Sequence, residues 1–493
     1  MNPQPLRVLF ASSEVVPYSK TGGLADVAGA LPEALAGLGC EVRVISPFYA
    51  SLFHRDHPTV PVDPPLLAVE LGGLREDMHV RAPAQKTTRA EFAFLEHAEF
   101  FSRSALYVSP ATGADYADND RRFAYFSCAL LEYCLQSGWI PDIIHLNDWQ
   151  TALAAPYLKE KYQGRVELAG TRTILTVHNL AYQGVFPHER FGFLGFDKRL
   201  IDSLGPFEFF GKTNFLKAGL EYADQITTVS PTYAREIQAS EELGAGLDGV
   251  LRRRSHDLAG ILNGIDDGVW NPATDPLLPA TYDAEHLTGK AECKSALCQR
   301  CGIAPERAQL PLVGMITRLD RQKGLDLVAE AEAELMSLDA NFVLLGTGSP
   351  AFHQIFENWN QQYPGRFRAF LAFDNALAHL IEAGADMFLM PSRYEPCGLN
   401  QMYSLRYGTI PVVRSTGGLV DTVFDCDADP ERGNGFAFSG YNTTSLIDAI
   451  RRALATFAFP ERWNGIMRRG MGTDFSWRHA AGEYQTLFER VRV

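Results

Sequence analysis

Short β-forming apolar runs alternate with stretches of helical periodicity along most of this chain, and the alternation starts twice. Leu6–Ser12 reads as a strand. Leu24, Val27, Leu31, Leu35 and Leu38 then share one face of a helix that Pro32 should kink, and Val42–Ser46 is the next strand. "DIIHL", "TRTILTV" and "DQITTV" repeat the pattern. It restarts near Leu312 with "LVGMIT", "NFVLLG", "FRAFLAF", "DMFLMP" and "TIPVV", separated by helical stretches such as "GLDLVAEAEAELMSL". Strand–helix alternation at this spacing predicts parallel sheets covered by helices on both faces, here two Rossmann-like α/β domains.

The length of 493 residues accommodates two such cores. The junction is expected within Leu251–Pro279, where the Pro-rich "NPATDPLLPATYD" reads as an irregular loop. The expected division is 1–250, 251–470, and a C-terminal helix over 471–493 that packs back on the first domain. With 46% hydrophobic and 21% charged residues, the composition is that of a globular protein, with no run long enough to span a membrane. No secretory signal is evident, so the expected compartment is the cytoplasm. A net charge of −14 disfavours nucleic acid as a partner, but not a neutral polymer or a small anion held by local donors. Cys293, Cys298 and Cys301 have the spacing of part of a metal site, but no fourth ligand follows, and they read better as cysteines on the surface of a helix ending at Gly302.

In open parallel sheets, ligands bind beyond the carboxyl ends of the strands. Asp148 follows "DIIHL", His178 follows "TILTV", Arg318 and Lys323 follow "LVGMIT", and Glu395 follows "DMFLMP". Singly, each has a plain structural reading: a helix cap, a core histidine, a solvated pair of cations, the end of a strand. Their convergence at strand ends in both halves points to a site. The string Thr-Gly-Gly-Leu-x-Asp also occurs twice, in "SKTGGLADV" and "RSTGGLVDTV". A Gly-Gly pair opening a helix offers amide donors and admits close approach, which favours phosphate. Two copies suggest two turns facing one ligand.

"SKTGGLADV", "HLNDWQTAL", "TVHNLAYQG", "ILNGID", "TRLDRQKGLD", "PSRYEPCGLNQ" and "STGGLVDTV" stand in the order seen in bacterial glycogen synthases and plant starch synthases. The chain resembles that family from about Leu6 to Tyr484. The resemblance implies a GT-B glycosyltransferase: two doubly wound domains, an interdomain cleft, and transfer of glucose from ADP-glucose to the non-reducing end of an α-1,4-glucan with retention. It implies neither a metal nor pyridoxal phosphate as cofactor. The KTGGL domain would serve the acceptor and the second domain the nucleotide sugar.

By resemblance, Lys20 contacts the sugar nucleotide, with Gly22 and Gly23 presenting amides and Asp26 in the same loop. Arg318 and Lys323, with Gln322 between them, grip the diphosphate. His178 lies beside the glucose, Asp148 near the reacting region or the acceptor, and Glu395 faces the donor sugar. Asn263 reaches the sugar or hinge, and Cys397, Gly398 and Leu399, in the same segment as Glu395, bind substrate. Thr416, Gly417, Gly418 and Leu419 hold the phosphates by backbone and hydroxyl donors. Two departures stand out: Phe373 as the adenine-stacking ring where relatives often have Tyr, and Asn147 where bacterial relatives often carry His. A catalytically silent sugar-nucleotide or glucan-binding protein of the same fold is the alternative. An α-glucan phosphorylase would require a lysine-bound pyridoxal phosphate.

Overall fold

The computed structural model describes residues 5–52 and 57–492. Two compact units account for them. The first comprises the described residues of Met1–Val229, Ala234–Gly264 and Trp477–Val493; the second comprises Ser230–Tyr233 and Ile265–Ser476.

The first unit is built on β1 (Arg7–Ala11), β2 (Glu41–Pro47), β3 (Thr59–Leu71), β4 (Leu74–Pro83), β5 (Glu91–Glu96), β6 (Ile143–Asn147) and β7 (Arg172–Val177). A short antiparallel group, β8 (Val185–Pro187), β9 (Glu208–Phe209) and β10 (Lys212–Asn214), precedes β11 (Gln225–Thr228) and β12 (Leu258–Gly260). Among the described residues, the main sheet runs β12-β11-β7-β6-β1-β2-β5-β4-β3. It is parallel from β12 to β5, and β4 and β3 extend it antiparallel. The alternation alone did not anticipate this antiparallel edge. Its signal is Gly72-Gly73 between two strand-like runs, both glycines at positive φ (56° and 80°) as a two-residue hairpin turn requires.

The helix Gly23–Gly37 buries Leu24, Val27, Leu31 and Leu35 and runs on through Pro32. The final helix, Trp477–Arg492, lays Trp477, Ala480, Ala481, Tyr484, Leu487 and Phe488 into the same core as Val8, Phe10, Leu31 and Leu35.

The second unit contains β13 (Leu312–Ile316), β14 (Asn341–Leu345), β15 (Phe367–Phe370), β16 (Met387–Met390), β17 (Ile410–Arg414) and β18 (Phe436–Phe438). They form a parallel sheet in the order β15-β14-β13-β16-β17-β18. Asn271–Asp283 carries neither helix nor strand. The helical stretch before β14 is two short helices, Leu325–Glu330 and Glu332–Ser337, meeting at Ala331. The helix Thr288–Cys301 does end at Gly302, but Cys293, Cys298 and Cys301 are buried rather than on its surface. Burial raises all three thiols, Cys301 to about 12, and no metal-holding cluster occurs among the described residues. No helix among those residues is long and apolar enough to cross a membrane.

Each sheet reverses its winding at one place. In the first unit the chain builds outward from β1 to β2 and β5, then returns to add β6 on the other side of β1. In the second, β14 and β15 lie to one side of β13, and β16, β17 and β18 to the other. A crevice opens at such a switch point beyond the strand ends.

Candidate functional site

In the first unit, the switch point is bordered by the segments that leave β1 and β6. The segment after β1 contains Glu14, only 2% exposed, whose Oε2 accepts the Thr21 amide at 2.6 Å and the Thr21 hydroxyl at 2.7 Å. The Gly22 amide also faces this carboxyl. The loop between them closes on itself through Val15 N–H donating to the Ser19 carbonyl at 3.0 Å. Burial raises the Glu14 pKa to about 7, against the pull of these donors and with the Asp26 charge adding to the rise. The amides at the first Thr-Gly-Gly turn therefore already hold an internal carboxyl group. Lys20 pairs with Asp26 at 2.7 Å near the surface.

Asp148 sits just past β6 with φ at 56°, a costly conformation for a non-glycine residue. It does not cap the short helix Trp149–Ala152 through its side chain. Its Oδ1 instead accepts the His178 amide at 2.7 Å, and the Asn179 amide also favours the charged form. Burial nonetheless lifts its pKa to about 7, and the Glu14 charge adds to the rise. Beside these acids, Tyr107 OH and Ser13 Oγ share a hydrogen bond of 2.6 Å. Burial first, then the Glu14 charge, pushes the Tyr107 phenol well above its usual range. The His178 ring is bonded through Nε2 to Asn147 Oδ1 at 2.8 Å, and burial drops its pKa to about 3. Asn263 is 7% exposed, and its Oδ1 has no hydrogen-bond partner among the described residues.

In the second unit, the loops after β13 and β16 meet at the switch point. Lys323 Nζ reaches both carboxylate oxygens of Glu395, at 2.8 and 2.7 Å, with the glutamate side chain 5% exposed. Ser392 Oγ donates to Oε2 at 2.9 Å. Gly324 makes the approach possible: at φ 75°, a β-carbon there would stand 2.1 Å from the Pro391 carbonyl. Arg318, about half exposed, points Nη2 at Gln322 Oε1 (3.2 Å) and Asp320 Oδ2 (3.5 Å). Phe373 is 86% exposed just beyond β15. Gln401 Nε2 donates to the carbonyls of Cys397 and Gly398, and Leu399 leads into the helix Asn400–Arg406.

The second Thr-Gly-Gly turn departs from expectation. Gly418 N–H donates to the Glu395 carbonyl at 3.1 Å and Leu419 N–H to the Thr416 carbonyl at 3.1 Å, so neither amide is available to a phosphate. The Leu419 side chain is wholly buried in the core. The glycines are demanded by packing: a β-carbon at Gly417 would lie 1.8 Å from the Glu395 carbonyl, and one at Gly418 2.1 Å from that of Cys397.

The structure thus brings Asp148, His178 and the Lys20 loop to one switch point, and Arg318, Gln322, Lys323 and Glu395 to the other. Sequence reasoning missed Ser13, Glu14, Tyr107 and Ser392. Glu14 and Ser392 follow strands as the expected residues do; nothing in the sequence marks Tyr107.

Residues 7–253 match the model of the starch synthase catalytic domain, and residues 303–467 that of glycosyl transferases group 1. A glycogen synthase of Anaeromyxobacter sp. (strain Fw109-5) is 50% identical over 99% of both chains. One from Myxococcus xanthus is 48% identical over 98% of this chain and 99% of its own. Among solved structures, the catalytic domain of starch synthase IV from Arabidopsis thaliana, bound to ADP and acarbose, superposes with a TM-score of 0.90 at 37% identity, covering 99% of each chain. A sucrose-phosphate synthase from Thermosynechococcus elongatus shares the fold at a TM-score of 0.59 and 19% identity.

Proposed function

The chain belongs to the glycogen synthase and starch synthase family, and on that premise we propose that it transfers glucose from ADP-glucose to the non-reducing end of an α-1,4-glucan, with retention of configuration. The observation that carries the residue assignment is the placement of charged groups at both switch points, above all Lys323 against Glu395. In the reaction the bond from the glucose C1 to the diphosphate oxygen breaks, a bond from C1 to the acceptor hydroxyl oxygen forms, and the hydroxyl proton passes to the departing phosphate. Charge grows on the diphosphate and, with opposite sign, on the sugar ring.

Arg318 and Lys323 meet the first need: fixed cations stabilise a leaving diphosphate with little reorganisation. Glu395 meets the second, its carboxylate facing the ring rather than attacking it. Thr416 and Gly417 contribute at the phosphates, and Phe373 offers its ring face to adenine. In the first unit, Lys20 meets the sugar nucleotide, neutral His178 bonds a glucose hydroxyl, and Asp148 orients the His178 backbone next to the acceptor. The neighbour's bound ADP and acarbose support a nucleotide and an oligosaccharide as the two ligand classes.

The test is incorporation of labelled glucose into glycogen by the purified full chain. Transfer from ADP-glucose is expected. Folded protein that transfers from neither ADP-glucose nor UDP-glucose refutes the reading, and calorimetric binding without turnover assigns the chain to silent binding proteins.

A further inference from the structure

The reaction as described leaves Asn147 without a task. It is fully buried at the end of β6, and its side chain bridges a backbone carbonyl and the His178 ring. Nδ2 lies 2.9 Å from the carbonyl oxygen of Ala11, at the end of β1. A carbonyl oxygen only accepts, so the NH2 end of the amide must face Ala11. The amide oxygen is thereby turned to His178, 2.8 Å from Nε2. That oxygen also only accepts, so Nε2 must carry a proton. Nδ1 of the neutral ring is then left with its lone pair. The backbone of the same residue is held independently, by its amide on Asp148 Oδ1 at 2.7 Å.

We propose that Asn147 is a positioning residue that sets the tautomer of His178, so that the ring offers its ligand a hydrogen-bond acceptor at Nδ1 and selects a group that donates. Resting on the function proposed above, that group is a hydroxyl of the transferred glucose. The Ala11 carbonyl is the anchor, the amide relays its polarity over one strand, and the imidazole delivers it to the site. Burial keeps the ring neutral, so the relay has one setting across the working pH range. The groups around it do not reverse the polarity. Asp148 is engaged by backbone amides, and the neighbouring His145 is itself neutral, bonded to Thr176 Oγ1 at 2.6 Å.

The direct test is long-range proton–nitrogen correlation spectroscopy on full-length protein labelled with 15N in its histidine rings, the His178 signals among the 12 histidines being assigned by their loss in His178→Gln. At neutral pH the wild-type ring is expected to show a pyrrole-like Nε2 and a pyridine-like Nδ1. Asn147→Leu, which removes both ends of the relay, is expected to give averaged shifts. Asn147→His, whose neutral ring can donate to Ala11 and accept from His178, is expected to keep the wild-type pattern. In the transfer assay Asn147→Leu should raise the KM for ADP-glucose about five- to tenfold, the loss of one ligand hydrogen bond, and Asn147→His should restore it. A protonated Nδ1 in the wild type, or an unchanged ring in Asn147→Leu, overturns the proposal. An altered tautomer with unchanged KM overturns its ligand half. A correct tautomer in a protein that transfers no glucose counts against the proposed function and not against the relay.

Discussion

The Lys323–Glu395 pair concentrates both chemistry and stability at one contact. The ammonium touches both carboxylate oxygens, and the carboxylate is almost wholly buried, so removing the lysine strands a charge in the interior. Lys323→Ala is therefore expected to cost about 2–4 kcal/mol in chemical denaturation and, given the role proposed for Lys323 at the leaving diphosphate, about a hundredfold or more in kcat/KM. Adding Glu395→Gln should recover most of the stability and none of the activity. Recovery of both would mean the pair is only structural, and a single variant of wild-type activity would remove Lys323 from the reaction. The sequence placed both residues after strands, but not their mutual contact, because that depends on Gly324 lying against Pro391 in three dimensions. Glu14 was missed for a related reason. Its partner Thr21 is local, yet only the burial of the carboxyl, a consequence of the whole sheet, makes it more than a surface acid.

At the scale of elements, the duplicated Thr-Gly-Gly-Leu-x-Asp string folds into two turns that open helices in different surroundings. In the first, Gly22 has an extended backbone (φ −155°) and space for a β-carbon, whose nearest neighbour would be Glu14 Oε1 at 3.9 Å. In the second, Gly417 has φ 48° and no room against the Glu395 carbonyl. Even the aspartates differ: Asp26 pairs with Lys20, whereas Asp421 accepts the Thr232 amide at 2.8 Å and its hydroxyl at 2.7 Å. Gly417→Ala is accordingly expected to lower the denaturation midpoint and displace Glu395, with a loss of about 2 kcal/mol or more for strain plus overpacking. Gly22→Ala should leave the unfolding free energy within about 0.5 kcal/mol of wild type and act, if anywhere, on the KM for donor. Equal effects on stability would contradict this division. The string was legible as a pair of strand-to-helix turns; which copy is locked by packing was not, since it turns on what backbone lies opposite. The hairpin at Gly72-Gly73 shows the reverse case, a local signal sufficient on its own.

For the molecule as a whole, the alternation of strands and helices disclosed the parallel part of both sheets, and the rule of strand carboxyl ends pointed to some of the residues around each switch point. What stayed illegible is the order of strands across each sheet, which is set by tertiary packing and decides which strand ends become neighbours. Packing also creates opposing titrations in the first unit. Glu14 and Asp148 are raised to about 7 from ordinary values near 4, so the folded state holds their protons over that interval while the unfolded chain has released them. Their contribution is fully present in acid and is lost as pH rises from about 4 through 7. His145 and His178 are lowered to about 3 from 6.5, so the unfolded chain binds their protons first and their contribution is lost as pH falls below about 6.5. The two pairs oppose each other between about pH 4 and 6.5, and the wild type should be nearly level there by equilibrium denaturation. Asp148→Asn keeps an oxygen for the His178 amide while removing one of the acids. The variant is expected to gain stability relative to wild type at pH 8 and to lose more of it on acidification from 6.5 to 5, as the histidines go less opposed. Parallel stability–pH curves for the two proteins would show that Asp148 titrates as an ordinary surface acid.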